Sequence, residues 1–258
     1  MQNSKVLLKV KNKIATVILN NPPVNSIDQQ VVDDIENVFA TLKNEDIRAV
    51  IIASENPKAF IAGGDINQFV AWNREAGVQA TQRGNDVFLK IDNFPCPVIC
   101  AIDGFVFGGG MELALACDIR VMAVNVKLGF PETTLGIYPG YGGTQRLPRL
   151  IGTGMAKKLI FSGERINAEE AYRIGICEHL SEEGRALEDA MQIALKIAQA
   201  GPVAVRTVKK IINQGISMNL KDAIELETAN FGDICETYDK TEGAKAFLEK
   251  RQPVFKGE

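Results

Sequence analysis

Glu112 is an acid among apolar neighbours. It stands in GFVFGGGMELALACD, residues 104–118, just after Gly108, Gly109 and Gly110 and among Met111, Leu113, Ala114, Leu115 and Ala116. A helix of that composition is apolar all round and therefore buried, where a charge is costly unless it is paired or hydrogen-bonded. The glycines permit tight turning and close approach of the main chain to a ligand. The helix start adds free N–H groups and a partial positive charge that favours anions. A second glycine-rich region, LGFPETTLGIYPGYGGTQRLPRLIG at 128–152, carries a second acid, Glu132, after Pro131. A third stretch, KAFIAGGDI at 58–66, sets Ala62, Gly63 and Gly64 between an apolar run and Asp65.

From the residues alone, two readings stand at each position. Glu112 is an acid–base group or a structural acid paired with Arg120 or Arg146, and Glu132 is its counterpart or an exposed turn acid. Gly64 and Gly109 expose N–H groups or only turn the chain, and Asp65 touches a ligand or caps the next helix.

Other chemistries have little to draw on. His179 is the only histidine, which leaves a histidine metal site or a Ser-His-Asp triad without its main residue, and neither a P-loop nor a GxSxG elbow occurs. Cys96, Cys100, Cys117, Cys177 and Cys235 form no CxxC pair and read as reduced core thiols of an intracellular protein. With 29 basic and 32 acidic residues among 258, no electrostatic footprint for nucleic acid is expected. No apolar run is long enough for a membrane span. MQNSKVLLKVKNK has the pattern of neither a signal nor a transit peptide, so a cytoplasmic location is expected.

The elements that must position these acids follow from periodicity. Residues 5–19 alternate around Lys11, Asn12 and Lys13 as a hairpin. Ser26 and Gln29 form a capping box for a helix to about Lys43, bearing Val31, Ile35, Val38, Phe39 and Leu42. Ala49 to Ala53, Val98 to Ile102 and Ile119 to Val124 read as buried strands. The stretch from Asn67 to Gly84 is polar and weakly periodic, broken at Gly77 and Gly84, and reads as mobile. A helix then runs through Val87, Phe88, Ile91 and Phe94 to the prolines Pro95 and Pro97. Beyond Gly154 the spacing is mostly helical, with Pro202 at a first-turn position. A composition shift near residue 180 predicts an α/β core at 1–180 and a helical tail at 181–258.

In this order and spacing, the strings KAFIAGGDI, GFVFGGGMELALACD, PETTLGIYPGYGGTQRLPRLIG (131–152) and AFLEKR (246–251) resemble the crotonase superfamily, the enoyl-CoA hydratase and isomerase fold, over nearly the whole chain. The resemblance implies an α/β fold, a superhelix of ββα turns, with a helical C-terminal region that makes trimer contacts, usually in a hexamer of two trimers. It implies acyl-CoA thioesters as substrates, no metal and no cofactor beyond the substrate's own CoA. The thioester oxygen would lie between the backbone N–H groups of Gly64 and Gly109. By the same resemblance Glu112 activates water for attack on Cβ and Glu132 delivers a proton to Cα, the pattern of a hydratase making 3-hydroxyacyl-CoA. A 3-enoyl to 2-enoyl isomerase, which can run on one acid, is the alternative, and an RNA-binding relative that keeps the fold is another. Ala62 and Ile66 carry over as main-chain CoA contacts, and Lys250 as a lysine near the CoA phosphate or merely a solvated one; Phe247 reads as core packing. Gly64 and Tyr141 stand where alanine is frequent in the family, and Leu128 where phenylalanine is. A bulky Tyr141 is expected to reshape or shorten the acyl pocket.

Overall fold

The structure is a computed structural model that describes residues 4–258. β1 (Val6–Lys11) and β2 (Ile14–Leu19) form the expected hairpin, turned by Asn12 and Lys13 at positive φ. The helix α1 (Gln29–Leu42) follows, but its cap is Asp28, whose side chain accepts from the Val31 N–H. The expected Ser26–Gln29 capping box does not form: Gln29 is already the first helical residue, so the chain offers its capping carboxylate two positions later.

A ββα unit then recurs. β3 (Ala49–Ser54) and β4 (Ala59–Ile61) lead to α2 (Ile66–Ala71) and α3 (Arg74–Asp92). β5 (Val98–Ile102) and β6 (Phe105–Phe107) lead to α4 (Gly109–Leu115). β7 (Ile119–Ala123) and β8 (Lys127–Gly129) lead through a 3₁₀ turn, Pro131–Leu135, to α5 (Gly143–Ile151). The first strand of each unit joins a six-stranded sheet and the second a four-stranded one, so each turn of the chain advances both sheets by one strand. β3, β5 and β7 pair in parallel, and their continuous apolar sequences suit strands covered on both faces.

The chain continues through α6 (Thr153–Ser162), β9 (Arg165–Asn167), α7 (Ala168–Arg173), β10 (His179–Ser181), α8 (Ala186–Ala198), α9 (Pro202–Gly215), α10 (Leu220–Cys235) and α11 (Tyr238–Leu248). β9 pairs antiparallel with β8 and closes the small sheet. α8 lays the fully buried Ala186, Ala190 and Ala194 across β3, β5 and β7. α9 is tied down by Lys209, whose ammonium reaches Asp118 at 2.6 Å and the Cys96 carbonyl at 3.2 Å. Among the described residues no helix is long and apolar enough to cross a membrane.

Two expectations are corrected here. The stretch read as mobile is the helix pair α2 and α3, and α3 runs without a break through Gly77 and Gly84. Two of its basic residues reach α1: Arg83 pairs with Asp33 at 2.7 Å and with Glu36, which Lys90 also reaches. Phe247 is 84% exposed instead of in the core, on the outer face of α11.

α4 packs so closely on β4 that a Cβ on Gly110 would lie 2.6 Å from the Ile61 Cβ and 2.9 Å from its carbonyl oxygen, whereas one on Gly77 would meet nothing within 4 Å. Gly110→Ala is therefore predicted to lower stability by about 1–3 kcal/mol. Gly77→Ala, inside a helical turn with open space at that position, raises it by about 0.4–1 kcal/mol. Chemical denaturation of both variants checks the opposite signs.

Candidate active site

The site begins where the small sheet ends. β4 and β6 are adjacent parallel strands, and the chain leaves each through glycine. After β4, Gly63 turns at φ 125°, and Gly64 faces Ile27 in a parallel bridge. That bridge uses the Ile27 N–H to the Gly63 carbonyl at 2.9 Å and the Asp65 N–H to the Ile27 carbonyl at 3.0 Å. The N–H of Gly64 itself is thus directed off the ladder, as the pairing geometry of a parallel bridge requires. After β6, Gly108 turns at φ 52° and α4 starts at Gly109, whose N–H is one of those a helix start leaves unused. A Cβ on Gly109 would sit 3.2 Å from Ile27 Cδ1. Ile27 therefore packs against both glycine turns.

One turn into α4, Glu112 is 2% exposed. Its Oε1 accepts two backbone N–H groups, from Tyr141 at 2.7 Å and Gly143 at 2.8 Å. The pairing with Arg120 or Arg146 is not formed. Arg120 goes to Glu178 at 2.5 Å and to the Ile176 and Cys117 carbonyls, while Arg146 goes to Asp92 and the Tyr141 carbonyl. Glu132, in the 3₁₀ turn, comes to the same place from the other side: a Cβ on Gly108 would lie 2.7 Å from its Oε1. A side chain at 108 would have to displace that carboxyl. Glu132 is half-buried, and its Oε2 is buried without a partner.

Gly64, Gly109, Glu112, Glu132 and Tyr141 are thereby brought together. The other candidates lie further out. The Ala62 N–H is engaged by the Val24 carbonyl at 3.1 Å, which leaves its carbonyl. Asp65 caps α2, accepting from the Asn67 N–H, and Ile66 is 57% exposed. Lys250 is exposed beyond the end of α11. Sequence reasoning missed Gly143 as a partner of Glu112, although the GYGG string is a natural place for main-chain donors. It also missed Gly84, read as a helix break, and Phe69, whose ring lies where a Gly64 side chain would be, 2.9 Å from the Cβ position. A cavity of about 900 Å³ between α9 and the edge of the large sheet, lined by Asp118, Val208, Lys209 and Ile212, contains neither glutamate.

Burial pushes Glu112 up to about 8, against the two N–H bonds that favour its charged form, and the nearby charge of Glu132 adds to the rise. Burial also pushes Glu132 up to about 7. Because one ionisation discourages the other, these values belong to the pair, and at a pH between the two the carboxyls hold about one proton between them. Both values exceed the ordinary 4.5, so in this window the folded chain binds more protons than the unfolded one. The pair's contribution to stability is fully present below about pH 4.5, falls as pH rises toward 8, and is flat above. The melting-temperature difference between Glu112→Gln and the parent is predicted to shift in the variant's favour between pH about 5 and about 8. A difference that does not change with pH contradicts it.

Residues 9–258 match the family model described as enoyl-CoA hydratase/isomerase. A short-chain-enoyl-CoA hydratase of Clostridium acetobutylicum is 39% identical over 98% of this chain and 97% of its own length. A crotonyl-CoA hydratase of Syntrophomonas wolfei is also 39% identical, over 99% of each chain. The crystal structure of an enoyl-CoA hydratase from Bacillus anthracis superposes with a TM-score of 0.95 at 39% identity, covering 98% of this chain and all of that one. With the ββα superhelix and the paired glutamates behind two glycine turns, these matches place the chain in the enoyl-CoA hydratase/isomerase family, to which it belongs.

Proposed function

We propose that this chain catalyses the reversible syn addition of water to 2-enoyl-CoA, giving 3-hydroxyacyl-CoA. The observation that carries the reading is the pair of glutamates: Glu112 held by two N–H donors, and Glu132 beside it with an unpartnered oxygen. The thioester oxygen lies between the N–H groups of Gly64 and Gly109, fixed donors aimed at the charge that an enolate develops. Glu112 takes a proton from water as its oxygen bonds to Cβ. The electron pair of the double bond moves toward the thioester, and Glu132 gives its proton to Cα. Dehydration reverses each transfer. A 3-enoyl isomerase needs a single acid to shuttle a proton and would leave the second buried glutamate unused.

The roles require the pair's shared proton on Glu132 and the charge on Glu112. Substrate favours that placement. An acyl group laid over the site removes water from half-buried Glu132 and raises it further, while Glu112, already buried, keeps both N–H donors.

In the same reading the CoA moiety runs out past the main chain of Ala62 and Ile66 and beside Asp65, and its phosphates approach Lys250. No cofactor beyond the substrate's own CoA is used. The division into a core at 1–180 and a tail at 181–258 goes with a homotrimer, or a hexamer of two trimers, built on that tail. Exposed Ile212, Ile224, Phe231 and Phe247 on α9, α10 and α11, with Ile216 just past the end of α9, are the apolar surface such contacts need. A cytoplasmic location accords with five free cysteines, four of them buried.

Loss of the conjugated-thioester absorbance of crotonyl-CoA tests the proposal. The parent protein is expected to hydrate it, and Glu112→Gln and Glu132→Gln each to lower kcat by about 100-fold or more. A parent that leaves crotonyl-CoA unchanged while isomerising a 3-enoyl-CoA overturns it.

A further inference from the structure

The Tyr141 ring is seated on α3 at Gly84, one of the two positions where that helix has no side chain. A Cβ on Gly84 would lie 2.5 Å from Tyr141 Cε1, 2.6 Å from Cδ1 and 2.8 Å from Cζ. One turn further along, the Phe88 ring meets Tyr141 edge-on at 5.5 Å and 83°. The main chain behind the ring is pinned at three points. The Tyr141 N–H donates to Glu112 at 2.7 Å, Arg146 donates to the Tyr141 carbonyl at 3.2 Å, and Asn85, next to Gly84, donates to the Gly140 carbonyl at 2.9 Å. The far edge of the ring comes within 3.9 Å of where a Gly109 side chain would be. The ring therefore fills the space between α3 and the start of α4, immediately beside Glu112. Burial, with the charge of Glu112, pushes its hydroxyl up to about 12, so this filling is uncharged at neutral pH.

We propose that Tyr141, held in the notch of Gly84, is the end wall of the acyl site and restricts it to short acyl groups such as crotonyl. The proposal rests on the acyl-CoA reading above and specifies its substrate class. With the thioester oxygen at Gly64 and Gly109 and Cβ at Glu112, carbons beyond Cβ run into the space that the ring occupies. They have no room without displacing a ring braced from behind, and misfits in a packed pocket are commonly worth about tenfold or more. The glycine at 84 and the tyrosine at 141 are thus one device: a side chain at 84 would drive the ring toward Glu112.

Calorimetric binding of two unreactive saturated thioesters, butyryl-CoA and octanoyl-CoA, reads the wall without relying on turnover. The parent is expected to bind butyryl-CoA more tightly by about tenfold or more, Tyr141→Ala to reverse the preference, and Tyr141→Phe, which keeps the ring, to keep it. Gly84→Ala is expected to lower the melting temperature of the parent but raise that of Tyr141→Ala, where the clash is gone and only the helix preference of alanine remains. Octanoyl-CoA binding the parent as tightly as butyryl-CoA overturns the proposal, as does an unchanged preference in Tyr141→Ala or the same sign for Gly84→Ala in both backgrounds. Binding with the expected preference but no hydration of crotonyl-CoA contradicts only the hydratase reading. Failure of both thioesters to bind sinks the two together.

Discussion

A carboxyl group almost wholly removed from water, held by the N–H groups of Tyr141 and Gly143, is the interaction on which the rest of the site depends. Burying such a group is unfavourable unless hydrogen bonds replace its solvent, and both replacements come from one loop, 29 and 31 residues away in sequence. That loop must hold still. It is fixed by Asn85 and by the seating of Tyr141 on α3, and α3 is in turn clamped to α1 through Arg83, Asp33 and Glu36. A surface ion-pair cluster of modest individual worth thus lies at the outer end of a chain of contacts that ends on the acid at the centre.

The ββα repeat supplies the second constraint. Because β4 and β6 run parallel and adjacent, the turns that follow them fall on the same side of the small sheet, and two main-chain donors from residues 45 apart in the numbering meet at Ile27. Side chains would obstruct this arrangement. At Gly108 a Cβ would meet Glu132, and at Gly110 it would meet Ile61. The glycine triplet therefore reflects two close approaches in addition to a turn.

Much of this was legible in the sequence because its physical signals are local. An acid in an apolar helix, glycine runs at strand ends and β-branched runs mark Glu112, Gly64, Gly109 and the strands of the large sheet. The ββα superhelix entered only through the resemblance. The strands of the small sheet at 127–129 and 165–167 went unseen because three residues carry no period. α3 was misread because its stabilising partners are charges on α1 and a tyrosine some 50 residues on, and because Gly84, which weakens a helix in isolation, is there to admit a ring. Phe247 was misread because apolar character gives no clue to which side of a helix faces a neighbour.

Two carboxyls with raised affinities for a proton, one bonded and one not, describe a site that holds one proton, and the proposed reaction requires that proton on Glu132 once an acyl group covers the site. Infrared difference spectroscopy of the butyryl-CoA complex, at a pH between the two values of about 7 and about 8, observes this directly. The account predicts a protonated carboxyl band that disappears in Glu132→Gln and persists in Glu112→Gln. A band lost in Glu112→Gln alone, or no protonated carboxyl in the complex, would contradict it.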